Sequence, residues 1–141
     1  MKLDDLVAVS GIPGVFKLAI NKKNGLVVEN LDTGKKVFRS SRKHQFTPMG
    51  SVSIYVEGGD SVLIGELLKT METQFEDNPT PSVKASSFEL KAYFEQILPN
   101  YDRDRVYVSD IKKVIKWFNF LNERNLLDFE EEETETNEAA E

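Results

Sequence analysis

Ser51-Val52-Ser53-Ile54-Tyr55-Val56, then Gly58-Gly59-Asp60, then Ile64, Leu67, Leu68, Met71 and Phe75 mark the place where the apolar period of this chain changes. Before the glycines the period is two. Val52, Ile54 and Val56 alternate with Ser51, Ser53 and Tyr55, the pattern of a half-buried strand. After them the apolar residues fall on one stripe of a helix, three and four positions apart. Strands followed by helices, with no βαβ alternation, predict an α+β chain.

Toward the N-terminus the period of two persists. Val15 to Ile20 alternates, with Phe16, Leu18 and Ile20 on one side and Lys17 on the other. Lys22-Lys23-Asn24-Gly25 predicts a turn in which Asn-Gly takes positive φ. Leu26 to Leu31 reads as the returning strand, Asp32-Thr33-Gly34-Lys35 as the next turn, and Val37-Phe38 as the start of a third strand. Residues 3–9 read as one short helix ended by Gly11-Ile12-Pro13-Gly14. Four or five short antiparallel strands in sequence predict a small, strongly bent sheet or SH3-like barrel over residues 1–58.

Toward the C-terminus a helical domain is expected over residues 59–127. Within it Asp77 to Ser87, carrying Pro79 and Pro81, is linker-like. Leu90, Tyr93, Phe94, Ile97 and Leu98 form a second amphipathic stripe, stopped at Pro99. Ser109 or Asp110 is expected to cap a last helix bearing Ile111, Val114, Ile115, Phe118 and Leu121. Residues 128–141 hold eight acids and no base, lack apolar periodicity, and are expected to be a disordered acidic tail.

The whole chain has 141 residues and a formal net charge of −6, enough for one medium domain or two small packed halves. Without the tail, 18 bases face 16 acids. Residues 1–56 carry nine bases and four acids, whereas residues 57–98 carry three bases and eight acids. A basic first half with an acidic end is a form met among proteins that bind polyanions. The absence of cysteine excludes disulfides, zinc–thiolate sites and thiol catalysis, and suits a reducing compartment. No apolar run exceeds Leu6-Val7-Ala8-Val9, too short for a membrane-spanning helix. Asp4-Asp5 stands where a signal peptide carries cations. The expected address is the cytoplasm.

No catalytic constellation emerges. His44 is the single histidine, so no histidine triad or multi-histidine metal site can be built. Asp102-Arg103-Asp104-Arg105 lacks the spacing and glycine of a calcium loop and reads as alternating charges that pair locally. Neither Gly11-Ile12-Pro13-Gly14 nor Gly58-Gly59-Asp60 has the lysine–hydroxyl ending of a phosphate loop. No catalytic residue, metal or cofactor is expected.

Two segments remain as candidate contact surfaces. Lys35-Lys36-Val37-Phe38-Arg39-Ser40-Ser41-Arg42-Lys43-His44-Gln45-Phe46 has five bases, a histidine, two aromatics and no acid. Lys and Arg neutralise phosphates, and aromatic faces stack unpaired bases. Lys35, Lys36, Arg39, Arg42, Lys43 and His44 are therefore candidate nucleic-acid contacts. The plainer alternative is a solvated loop with Phe38 and Phe46 in the core. On the last helix, Trp117 lies at the margin of the apolar stripe and Phe120 falls on the far side, between Lys113, Lys116 and Arg124. That face is either buried against another surface or a partner contact made by Lys113, Trp117, Phe120 and Arg124.

A resemblance joins these segments. Ser10 to Lys17, Asn24 to Glu29, Ser53-Ile54-Tyr55, Leu90 to Phe94, and above all the stretch Leu98-Pro99-Asn100-Tyr101-Asp102-Arg103-Asp104-Arg105-Val106-Tyr107-Val108-Ser109-Asp110-Ile111-Lys112-Lys113 are similar to a family of short bacterial proteins classed as a domain of unknown function. Ile12 departs from it, standing where a lysine is expected. The resemblance implies an N-terminal SH3-like domain, a C-terminal helical domain and an acidic tail, and through the SH3-like architecture a link to RNA. It assigns no catalytic residue. The expectation is a non-enzymatic cytoplasmic binding protein with single-stranded RNA as ligand. The alternative is a protein-interaction adaptor or homodimer using the last helix, and no membrane is involved.

Overall fold

The computed structural model describes residues 3–127. The stretch 128–141, expected as a disordered tail, lies outside the described residues, as do Met1 and Lys2. The described chain is α+β and divides into two compact units, residues 3–51 and 52–127.

In the first unit a 3-10 turn, Leu3–Asp5, leads into β1 (Leu6–Val9), followed by β2 (Phe16–Lys22), β3 (Gly25–Asn30), β4 (Lys36–Ser40) and β5 (Phe46–Pro48). They form one antiparallel sheet in the order β4-β3-β2-β1-β5. The helix expected over residues 3–9 is not formed. A four-residue apolar run rich in valine is too short for a helix, and its backbone groups find partners in both β2 and β5. Val7, Val9 and Val28 form the buried centre of one sheet face, with Ile12, Phe16, Leu18, Leu26 and Phe46 packed against them.

The sheet is open, so the SH3-like barrel expected of residues 1–58 is not what forms. β4 pairs with β3 and β5 with β1, and the two ends of the sheet are not joined. Closure requires an edge strand long enough to be bonded on both sides. β5 has three residues and ends in Pro48, which has no N–H to donate. The strand read at residues 51–56 is no part of this sheet. It forms β6 (Ser53–Tyr55), which pairs with β7 (Ser61–Leu63) in the second unit. Gly58 and Gly59, both at φ +92°, make the turn between them.

The second unit continues with α1 (Ile64–Gln74), α2 (Ser87–Ile97) and α3 (Val108–Glu123). With one exception the predicted stripes are its buried residues: Ile64, Leu67, Leu68 and Met71 on α1, Leu90, Tyr93, Phe94 and Ile97 on α2, and Ile111, Val114, Ile115, Phe118 and Leu121 on α3. Phe75, placed on the first stripe, falls just past the end of α1 and is 36% exposed. Ser86 caps α2, its hydroxyl accepting from the Glu89 N–H at 3.2 Å. α3 begins before the expected cap. Asp110 sits inside its first turn and accepts the Tyr107 N–H at 3.0 Å, which satisfies an orphan donor and places a carboxylate at the positive end of the helix dipole.

Candidate functional site

The first unit carries the candidate site, and an irregularity in β2 shapes it. Lys17 pairs with Glu29 and Leu18 with Val28, but Ile20 pairs with Val27, so the register shifts at Ala19. A bulge leaves one residue unpaired and turns the following side chains to the other face. Ile20 therefore shares a face with Lys17, not with Phe16 and Leu18 as simple alternation predicts. Across β3 and β4 the same pairing sets Ile20, Val27 and Phe38 in one row. This row lies on the face opposite the valine core. Ile20 is 51% and Phe38 43% exposed, whereas Phe46 packs on the core as anticipated. Toward β1 the face closes over, and Leu6 is 1% exposed.

Phe38 holds its place partly through a glycine. A Cβ on Gly25 would meet the Arg39 carbonyl oxygen and come within 2.8 Å of Phe38 Cζ. The aromatic ring thus leans across the sheet into the space that Gly25 leaves vacant. Neither Asn24 nor Gly25 has positive φ. The expected Asn-Gly corner is replaced by a turn at Lys23-Asn24, with Lys22 opposite Gly25.

Cations border the apolar row at both ends. On one side, Lys17, Glu29 and Lys36 form a cross-strand row with a carboxylate between two ammonium groups, and Lys35 precedes it in the turn. On the other side the β2–β3 turn meets the turn after β4. The Asn24 carbonyl accepts from the Ser41 N–H at 2.9 Å and from the Ser41 hydroxyl at 3.1 Å. Lys22, Lys23, Arg42 and Lys43 are thereby gathered at one end of the sheet, all exposed, in segments that contain no acid.

The six candidates from the basic segment thus separate into four places. Lys35 and Lys36 stand at one end of β4, and Arg42 and Lys43 at the other. Arg39 pairs with Leu26 and so projects from the core face, where its Nε is buried without a hydrogen-bond partner. His44 is half-buried, its Nδ1 2.9 Å from the Ser10 carbonyl oxygen, while Gln45 N–H donates to the Ser10 hydroxyl at 2.8 Å. Both contacts anchor the turn to the end of β1. Lys17, Lys22 and Lys23, absent from the expected set, join it. The sequence signals for them were the Lys-Lys pair in the β2–β3 turn and, for Lys17, its place opposite Phe16 and Leu18 in the alternating strand.

The α3 face belongs to the second unit. Lys113 is exposed, whereas Trp117, Phe120 and Arg124 are half-buried. Arg124 lies over the Phe120 ring, Cζ 3.7 Å from its centroid, and donates to the Phe120 carbonyl at 3.0 Å. Phe120 is thus covered by a cation from the end of its own helix. In the 98–113 stretch, Arg105 pairs with Asp102 at 3.7 Å, but Arg103 reaches back to Glu95 at 2.7 Å. The Asp102 carboxylate also accepts the Asp104 N–H at 2.9 Å. The connection between α2 and α3 is thus fastened by one ion pair within itself and one back to α2. Among the described residues no group of three histidines and carboxylates converges.

Comparison with known proteins follows the same division of the chain. Residues 3–49 match the domain of unknown function DUF5606, and residues 52–121 match the domain of unknown function DUF6852. The solution NMR structure of a Bacteroides vulgatus protein is 34% identical, with a TM-score of 0.73 over 96% of this chain and 97% of that one. The chain belongs to the family of that protein. The likeness runs through both the open-sheet unit and the three-helix unit. Among curated proteins none matches.

Proposed function

We propose that this family member is a non-enzymatic, cytoplasmic nucleic-acid-binding protein whose ligand is single-stranded RNA, bound on the first unit. The observation that carries the reading is the gathering of Lys22, Lys23, Arg42 and Lys43 by the bonds between Ser41 and the Asn24 carbonyl. Four exposed cations from two turns, with no carboxylate in either segment, cost free energy through mutual repulsion. A polyanion relieves that cost and releases counterions as it binds. At the far end of the same sheet Lys17, Lys35 and Lys36 outnumber the acids beside them, Glu29 and Asp32, by three to two, so the stronger positive field is at the end that gathers Lys22, Lys23, Arg42 and Lys43. For the described residues, no helix is long and apolar enough to cross a membrane.

The test is fluorescence anisotropy of a labelled oligouridylate of about 12 nucleotides, a length within the site sizes of small single-strand binders. With four phosphates neutralised, log affinity falls with log salt at a slope of about −2.8, roughly fifty-fold weaker at 200 than at 50 mM salt. Binding that is indifferent to salt, or absent at about 50 mM salt, contradicts the reading.

A further inference from the structure

We infer that the outer face of β2, β3 and β4 is a stacking platform for unpaired bases, with Phe38 as its aromatic and Ile20 beside it. The inference rests on the nucleic-acid reading above and adds what that reading lacks, a reason for the ligand to be single-stranded. Phosphate contacts alone do not distinguish a strand from a duplex. Aromatic side chains presented on an open sheet do, because a base can lie on them only when it is out of a helix.

Three observations converge. Ile20, Val27 and Phe38 form one apolar row on three neighbouring strands, and its two end members are 51% and 43% exposed. This row exists only because the register shift at Ala19 turns Ile20 out of the core face. A bulge that exposes an isoleucine at the cost of core burial is the kind of local departure that marks a functional surface. Finally, the row is bordered by lysines. Lys17 and Lys36 lie in the neighbouring row on one side, flanking Glu29 and leaving that row with a net charge of about +1, and Lys22 lies on the other side, opposite Gly25. Same-face residues two apart on a strand are about 7 Å distant. A strand whose bases sit on Phe38 and Ile20 thus has ammonium groups within reach of its phosphates on both sides. That charge pattern selects a polyanion over an apolar protein partner as the occupant.

Phe38→Ala separates this inference from the reading beneath it, because Phe38 is exposed and its removal leaves the valine core intact. The probes are oligouridylate, an abasic oligomer of the same length, and an RNA duplex. Wild-type protein is expected to prefer oligouridylate over both others. Phe38→Ala should lose roughly 5- to 100-fold affinity for oligouridylate, with the salt slope and the abasic affinity unchanged. Phe38→Tyr, which keeps the ring, should retain wild-type affinity. If oligouridylate and the abasic oligomer bind alike and Phe38→Ala changes nothing, the platform is refuted while the cation cluster stands. If wild-type protein binds none of the three, both fall. A dimer in sedimentation that Phe38→Ala dissociates overturns the platform in favour of a protein interface.

Discussion

Ile20 lies on the Lys17 face of β2, three residues along the strand, and not on the face of Leu18 two residues before it. The shift fixes what each residue contributes to stability. Ile20→Thr should change the unfolding free energy by less than about 0.5 kcal/mol, as at other exposed positions. Val28→Ala, in the centre of the other face, should cost about 1–3 kcal/mol. Urea denaturation of both variants checks this. A loss at Ile20 comparable with that at Val28 would put Ile20 in the core.

Gly25 is constrained by backbone as well as by a ring. Gly25→Ala pushes a methyl group into the Arg39 carbonyl and against Phe38, and should destabilise by roughly 1–3 kcal/mol. Phe38→Ala should not rescue it, since the carbonyl stays. Recovery of stability in the double variant would mean that the aromatic ring alone sets the need for glycine.

These two positions show what was legible in the sequence and what was not. The helical stripes on α1, α2 and α3 were readable, because burial repeats with the helix period over several turns and nothing else competes. The β2 and β3 segments were readable for the same reason at period two. The bulge was invisible, since Phe16, Leu18 and Ile20 fit unbroken alternation, and only pairing with β3 shows that Ala19 is skipped. Leu6 to Val9 misled because a short apolar run suits a helix turn and a buried strand equally. In the basic segment the charge was legible but its distribution was not. Alternation along β4 sends Phe38 outward and Arg39 to the core face, and the Ser10 contact removes His44 from the surface set. The cation cluster is equally non-local, because Arg42 and Lys43 meet Lys22 and Lys23 only through the fold.

The 98–113 stretch should prove structural, with its two arginines unequal. Arg103 donates to the Pro99 and Tyr101 carbonyls at 3.1 and 2.6 Å, pairs with Glu95, and lies 4.2 Å from the Tyr101 ring centroid. Its side chain is 40% exposed, so the ion pair itself is largely screened and the carbonyl bonds dominate. Arg103→Ala should cost about 1–2 kcal/mol. Arg105, more exposed and 3.7 Å from Asp102, should cost less than about 0.5 kcal/mol. Denaturation midpoints decide the order, and equal losses would contradict it.

Tyr93 gives the chain an alkaline limit. Its hydroxyl is buried without a hydrogen-bond partner, and desolvation raises its pKa from 10.0 to about 12. The folded state therefore holds this proton more tightly than the unfolded state. The contribution is complete below pH 10.0 and is lost as pH rises toward about 12. Tyr93→Phe removes no hydrogen bond, so at neutral pH it should change stability by less than about 1 kcal/mol. Above pH 10.0 its unfolding free energy should fall less steeply than that of wild type. Parallel decline in the two proteins would assign alkaline unfolding to other groups.

The most direct test of RNA binding on the first unit is the salt dependence of oligouridylate affinity when Lys22, Lys23, Arg42 and Lys43 are all replaced by alanine. All four are exposed, so the variant should fold with its stability nearly unchanged. The log–log slope should become shallower by about 2.8, at ~0.7 for each phosphate no longer neutralised, with the largest affinity difference at the lowest salt. A folded variant that keeps both the wild-type affinity and the wild-type slope would contradict the assignment of the ligand to this end of the sheet.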